Sequence, residues 1–472
     1  MICPLPFAVS AVLTLSGLAA LLAPAHADWP QWRGPQANGV AATATPPVEW
    51  SETKNVKWKV KVPGKGHSTP IILGDKIYLT TAVATGKKTP PPAAAEPSLI
   101  PAETPAPPQT GGQGGERRER RREGGGGPPG GGRGRGMAPD ETHQFQLLCL
   151  DRATGKILWQ QTAIEQLPHE GHHQDHGFAS HSPVTDGTHV YAYFGSRGLH
   201  CYTLDGKLVW SKSLGRMQTR NSFGEGSSPL LTGDAIVINW DHEGEDFIAC
   251  FDKKTGEERW RKERDEPTSW ATPLAVEHEG KTQVVVSATN KIRSYDLATG
   301  EVIWECGGMT TNVIPSPIAA HGMVYALSGF RGNAVRAIKL GRTGDLTDTD
   351  AVAWKYDTKC PYVPSGLVEE DRLWFFSQNT GILSCLNAKT GEVLIDAARI
   401  DGLGGVYASP VAADGKIYLT GRNGEGVVLK AGPKLEVLAT NKLDEKFDAS
   451  AALSGKDLLL RGHEYLYCLA AP

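Results

Sequence analysis

The sequence predicts an all-β protein, an eight-bladed β-propeller of four-stranded antiparallel blades closed by an N-terminal strand. Three observations carry this. A small hydroxyl residue precedes a short apolar strand eight times, at Thr69, Ser182, Ser228, Thr272, Ser316, Ser365, Ser409 and Ser450, and from Ser182 onward the spacing is 41 to 49 residues. A turn of the form Asp/Asn-x-x-Thr-Gly recurs at Asp151–Gly155, Asp252–Gly256, Asp296–Gly300 and Asn387–Gly391. A tryptophan follows in the next strand, at Trp159, Trp210, Trp260, Trp304 and Trp354. This period is that of a propeller blade, a sheet that cannot bury both faces alone and gains its missing surfaces from its neighbours.

The unit from Ser227 to Trp260 shows the grammar. Leu230–Leu231 opens it, Gly233-Asp234 turns the chain, and Ala235–Trp240 and Phe247–Phe251 are the middle strands. Asp252 and Gly256 then make the turn into the strand holding Trp260. The last unit, Ala449 to Leu469, has only three strands, whereas Val56–Val62 is an alternating strand with Trp58 placed as in a fourth strand. Pairing the two closes the ring and removes two open sheet edges.

Outside the repeat, residues 1–27 read as a secretory signal peptide, apolar from Ala8 to Leu22 and ending in Ala25-His26-Ala27, so a periplasmic or secreted protein cleaved near Ala27 is expected. No cysteine follows that site to take a lipid anchor, and no later segment is long and apolar enough to span a bilayer. Residues 28–55 form an N-terminal extension rich in Pro and Gly, and 56–472 form the propeller. Residues 84–142, with Pro90–Pro92, glycine runs and the charged stretch Glu116–Glu123, are expected to be a disordered insertion in a loop. A formal charge of −3 argues against a nucleic-acid partner. Cys149, Cys201, Cys250, Cys385 and Cys468 share one position in the third strand and read as packing residues; Cys306 and Cys360, in loops of successive units, are the one candidate pair.

In such a meander the A–B and C–D turns share one face, and the B–C loops and D–A connections share the other. The second set is the longer and more varied, so it is the expected functional face. It carries Asn221, Glu225, Trp270, Tyr362, Tyr407 and Asp448 from D–A connections, and Arg197, Asp241, His242, Asn290, Arg331, Asn379, Arg422, Asn423 and His463 from B–C loops. A protein or small-molecule ligand at this face of a monomer is the expected partner. One cluster stands apart: His169, His172, His173, His176 and His181. Its His169-Glu170-Gly171-His172-His173 matches the letters of the HExxH metalloprotease motif, but the flanking Pro168 and Gly171 predict a loop where that chemistry needs a helix.

The repeat phrase, through Asp151–Trp159, Asp252–Trp260 and Asp296–Trp304, resembles the pyrroloquinoline-quinone (PQQ) enzyme repeat, whose family folds as an eight-bladed propeller. Trp29–Pro35 and Ser227-Ser228-Pro229 look like exported bacterial PQQ-like propellers. Two branches of the superfamily set the functional expectations. Quinoprotein alcohol dehydrogenases use PQQ with Ca²⁺, an acidic base, a Trp platform and a ring of two adjacent cysteines. The propeller lipoprotein of the outer-membrane β-barrel assembly machinery uses the fold as a docking surface without a cofactor. By residue type, Trp270 would be the platform, Asn290, Glu225 and Asp241 the calcium ligands, and Asp241 or Glu225 the base; Arg331 and Arg422 would donate to the quinone. No two cysteines are adjacent here. The expectation is therefore an exported binding or scaffold module with no cofactor. A PQQ- and calcium-dependent oxidoreductase is the alternative, and a metal-dependent hydrolase using the histidine cluster the distant one.

Overall fold

The computed structural model describes residues 28–88 and 139–471. Its strands form eight antiparallel sheets in chain order around one axis, and almost no helix is present. The third blade is the type example: Leu230–Thr232, Ala235–Trp240, Phe247–Asp252 and Glu258–Glu263, hydrogen-bonded in that order. Its two middle strands are buried almost throughout, while its outermost strand alternates between exposed and half-buried residues. That pattern is the one expected of a sheet sandwiched between neighbours with its outer edge in solvent.

Closure follows the expected register. Val56–Lys61 pairs antiparallel with Tyr465–Leu469 as the outermost strand of the eighth blade, with Val56 opposite Leu469 and Lys61 opposite Tyr465. The first blade differs from the expectation at the insertion. Its strands Lys76–Lys88 and Glu141–Asp151 run into the stretch assigned to disorder, with Ala84 opposite His143 and Lys88 opposite Glu141. The rest of that stretch, 89–138, and the signal segment 1–27 lie outside the described residues.

The seams between blades are fastened on an inner side throughout and, where the outermost strand carries a tryptophan, on an outer side as well. On the inner side, the N–H before each first strand donates to the hydroxyl of the next blade: Thr69 to Ser182, Ser182 to Ser228, Ser228 to Thr272 and Thr272 to Ser316, at 2.8–3.0 Å. The series continues from Ser316 to Ser365, Ser365 to Ser409 and Ser409 to Ser450. Thr69 Oγ1 donates to the Ser450 carbonyl and completes the ring. On the outer side, each tryptophan lies on the next blade's turn glycine, and its indole N–H donates to a carbonyl of that turn, as from Trp210 to Lys253 and from Trp260 to Leu297. The turn glycines have positive φ (Gly256, +72°), and the turn aspartate caps it: Asp252 Oδ1 accepts the N–H groups of Lys254 and Thr255. These two demands explain why Asp or Asn begins the turn and Gly ends it.

Three seams depart from the tryptophan rule: the outermost strands of blades six and seven, Val393–Arg399 and Val437–Lys442, hold no tryptophan, and the third is altered by an added strand. Between blades four and five the chain inserts Gly344–Asp345, which pairs outside Val302–Cys306, so Trp304 is fully buried and donates instead to Gln283 Oε1. The seven described cysteines, Cys306 and Cys360 included, are buried free thiols.

The N-terminal extension is part of the body. Trp29 exchanges two backbone hydrogen bonds with Ile72, Pro30 accepts from Thr185, Gly39 and Ala41 pair with Ala412, and Thr45 donates to Gly455. It thus crosses from the first two blades to the last two at the turn end of the axial channel. Arg33 is buried on the way, held by the carbonyls of Pro410, Gly366 and Asn38 with no carboxylate partner.

The seams give a paired prediction. A Cβ on Gly256 would sit 2.7 Å from the Trp210 ring, whereas one on Gly233, also at positive φ (+56°), would meet nothing within 4 Å. Gly256→Ala should therefore cost about 1–3 kcal/mol more than Gly233→Ala in urea unfolding, the overpacking part of the penalty. Equal costs would show that the tryptophan does not press on the turn.

Candidate ligand-binding site

The hydroxyl ring that fastens the blades is also the wall of a cavity. All eight ring residues line an axial space of about 420 Å³. Because the backbone is extended there, the residue two positions before each hydroxyl faces the same way. All eight such residues line the cavity as a second tier. Around the ring they divide by chemistry. Blades seven, eight, one and two contribute Tyr407, Asp448, His67 and Ser180; blades three to six contribute Gly226, Trp270, Ile314 and Val363. One half of the cavity is polar and the other apolar. By blade count, Trp270 and Asp448 stand opposite one another. Trp32, from the crossing extension, and Phe223, Phe330 and Tyr362 add aromatic surface.

The polar half is an organised network. Asp448 accepts from Arg422 Nε at 2.6 Å and contacts His463 Nε2 at 2.9 Å. Arg422 also donates to Asp175 Oδ1 at 3.0 Å and lies over the Tyr407 ring, 3.9 Å from its centroid; the Tyr407 hydroxyl donates to Asp175. Burial works against the charge on Asp448 and Asp175, yet the Arg422 pair, with His463 on Asp448 and Tyr407 on Asp175, holds both carboxyls below the ordinary aspartate range. Burial pushes His67 down to about 3 and His176 to about 4, so both imidazoles are neutral at pH 7. The lining contains two carboxylates, Asp175 and Asp448, and no Lys or Arg.

Of the residues singled out from sequence for PQQ and calcium, Trp270 alone lines the cavity. Its indole N–H donates to the Gly224 carbonyl, which fixes the ring plane. Glu225 is buried in the wall, where its carboxylate takes the Ser196 N–H and hydroxyl and the Arg197 guanidinium. Asp241 is buried with Arg264, Ser269 and Asn239. Asn290 is exposed and bonds to Asp265 and Glu266. The three are drawn to different partners: Glu225 to the Ser196–Arg197 turn of blade two, and Asp241 and Asn290 to separate residues of the connection between blades three and four. Arg331 is exposed over the Phe330 ring, and Arg422 is held by its two aspartates.

The histidine run does form a loop. His169 Nε2 bonds to the Met217 carbonyl, His172 Nδ1 to the His173 carbonyl and His176 Nε2 to the Glu225 carbonyl, while His181 is buried against Tyr193. Only His169 of the five belongs to a metal-type group, with Glu170 and Glu225. The residues that do meet, His67, Asp448 and His463, come from two D–A connections and a B–C loop. His67 and Trp32 gave no motif of their own, although counting two back from each ring hydroxyl reaches His67 directly.

The family described as outer membrane protein assembly factor BamB, a PQQ-type repeat family, matches residues 108–244, 143–393 and 244–467. The chain belongs to this family. Solved structures extend the likeness of this PQQ-repeat propeller at the level of fold. A europium-containing methanol dehydrogenase shares 9% identity at a TM-score of 0.56, covering 94% of this chain and 98% of its own. BamB from Moraxella catarrhalis shares 14% identity at a TM-score of 0.47, covering 69% of this chain and 91% of its own. Among curated proteins, none matches the sequence.

The buried imidazoles make stability depend on pH. Unfolded histidine titrates near 6.5, whereas His67, His176 and His181 are pushed to about 3, 4 and 3 by burial. Their contribution is complete above pH 6.5 and is lost as pH falls toward 4, because the unfolded chain binds protons that the fold refuses. Glu170 and Glu266, raised to about 7 by burial, work in the opposite sense over the same window, two groups against three. The thermal midpoint should fall between pH 6.5 and 4.5, and less steeply in His181→Gln. A flat or rising profile would contradict this assignment.

Proposed function

We propose that this protein is an exported binding module that holds a small amphipathic molecule in its axial cavity. The observation that carries this reading is the division of the second tier. Trp270, Ile314 and Val363 offer a flat apolar wall, and Tyr407, Asp448, His67 and Ser180 offer a polar one. A mostly apolar cavity with a few convergent polar groups is the usual form of a small-molecule site. The charged groups that face the cavity are two carboxylates, with no Lys or Arg in the lining, which favours a ligand whose polar edge carries hydrogen-bond donors or a positive charge. Export to the periplasm or beyond follows from the reading of residues 1–27 and agrees with the membership of the BamB family.

The quinoprotein alternative fits these residues poorly. PQQ is a planar polyanion that needs a hard cation in an oxygen cage and cationic partners for its carboxylates. Here the lining has no Lys or Arg, and Glu225, Asp241 and Asn290 lie in separate networks. The hydrolase alternative needs several histidines of the run to bring ligand atoms together, and only His169 of the five belongs to such a group.

Two measurements test the reading. Titration with 2-naphthylmethylamine, followed by intrinsic tryptophan fluorescence, should show saturable quenching, at least tenfold weaker in Trp270→Ala and unchanged in Leu208→Ala on an exposed outer strand. The anionic 2-naphthoate should bind more weakly than the amine; the reverse order, or no dependence on Trp270, would contradict the proposed polarity. Protein supplied with PQQ and Ca²⁺ should not reduce dye with primary alcohols. Robust turnover abolished by Trp270→Ala would establish the quinoprotein reading instead.

A further inference from the structure

We propose that His67, Asp448 and His463 form a binding site for a divalent first-row transition ion at the polar edge of the axial cavity. Each offers one ligand atom, and the three atoms lie within 4.8 Å of one another. The His67 and His463 rings stand 5.3 Å apart between centroids, and His463 Nε2 is 2.9 Å from Asp448 Oδ2. Two imidazoles and one carboxylate on one side of an ion are a donor set suited to zinc, iron, cobalt or nickel, with remaining positions left to water or a ligand. Here those positions face the cavity, which both His67 and Asp448 line.

A purely structural role accounts for only part of this cluster. His463, Asp448 and Arg422 satisfy one another as a hydrogen-bonded chain. His67 has no place in that chain. Among the described residues its ring makes no hydrogen bond, although its backbone is fixed by donation to the Ala179 carbonyl. An imidazole with no hydrogen-bond partner, within 4.8 Å of a carboxylate–histidine pair, is what an ion would complete. The ion would take the place of the proton shared by His463 and Asp448. Arg422, which donates to Asp448 Oδ1 at 2.6 Å and to Oδ2 at 3.3 Å, would orient the carboxylate as an outer-shell partner. The other metal-type group, His169 with Glu170 and Glu225, lacks this opening: Glu225 already accepts three hydrogen bonds and His169 Nε2 is bonded to Met217.

The site belongs to the seam between blades eight and one. His67 and Asp448 precede the first strands of those blades, and His463 lies between the second and third strands of blade eight. An ion would therefore link the closing blade to the first one. It would also compete with a cationic ligand for Asp448, so the ion is tested with no organic molecule present and either proposal can fail without the other.

The test uses the purified full chain stripped with chelator. Cobalt(II) is followed by its visible d–d absorption and zinc(II) by calorimetry. One ion per chain is expected, with His67→Gln and His463→Gln each weakening binding at least tenfold while far-ultraviolet circular dichroism stays that of the parent. His463 is the more exposed of the two, so its variant keeps the test open if His67→Gln folds poorly. The thermal midpoint should rise with zinc in the parent and not in His463→Gln. Absence of stoichiometric binding would overturn the proposal. So would binding that survives both substitutions, or binding lost instead in His173→Gln, which would place the ion in the histidine-rich loop.

Discussion

The structure depends on one repeated bond, the backbone N–H of one blade donating to the Ser or Thr hydroxyl of the next. A propeller's innermost strands converge where side chains have little room, and the N–H groups before those strands have no partner within their own sheet. A small side chain that accepts a hydrogen bond solves both problems. An unmet buried N–H would cost about 1–3 kcal/mol, and the ring meets seven of them in this way. The same hydroxyls face the axis, so the bond that orders the blades also defines the surface available to a ligand. Above that uniform tier the side chains two positions earlier vary, because bonds across the seam there can run through the backbone, as from the His67 N–H to the Ala179 carbonyl and from the Trp270 N–H to the Val313 carbonyl.

The fold was legible because its demands repeat. Gly256 and its counterparts sit where a positive φ and a tryptophan face coincide, and no other residue meets both needs. The hydroxyl positions were equally visible, and with them the strand register. The site was legible only in part. Trp270, Tyr407 and Asp448 were placed on the correct rim, but Glu225 and Asp241 look the same in sequence whether they face a ligand or an internal arginine. Their partners, Arg197 and Arg264, lie 28 and 23 residues away, separations set by loop paths that no local pattern encodes. The HExxH letters were read correctly as a loop, since the motif's meaning lies in a helix that Pro168 and Gly171 do not allow.

Asymmetry imposed on a symmetric frame is the functional signature. Eight equivalent second-tier positions need not differ for the ring to close, yet their polar members occupy four consecutive blades. The polar arc spans the closing seam, where Val56–Lys61 joins the last blade and where the N-terminal extension ends its crossing. Trp32 of that extension enters the cavity from the turn end, which ties the segment that crosses the channel to the surface a ligand would touch.

The direct test of the ring's role is amide hydrogen exchange in Ser228→Ala, which removes the acceptor of the Ser182 N–H and leaves that blade's sheet intact. Loss of one buried bond of about 1–3 kcal/mol predicts exchange at Ser182 roughly ten- to a hundredfold faster, with the strands Ala235–Trp240 and Phe247–Asp252 still protected. Unchanged exchange at Ser182 would mean that the blades are held by side-chain packing alone and that the hydroxyl ring does not fasten them.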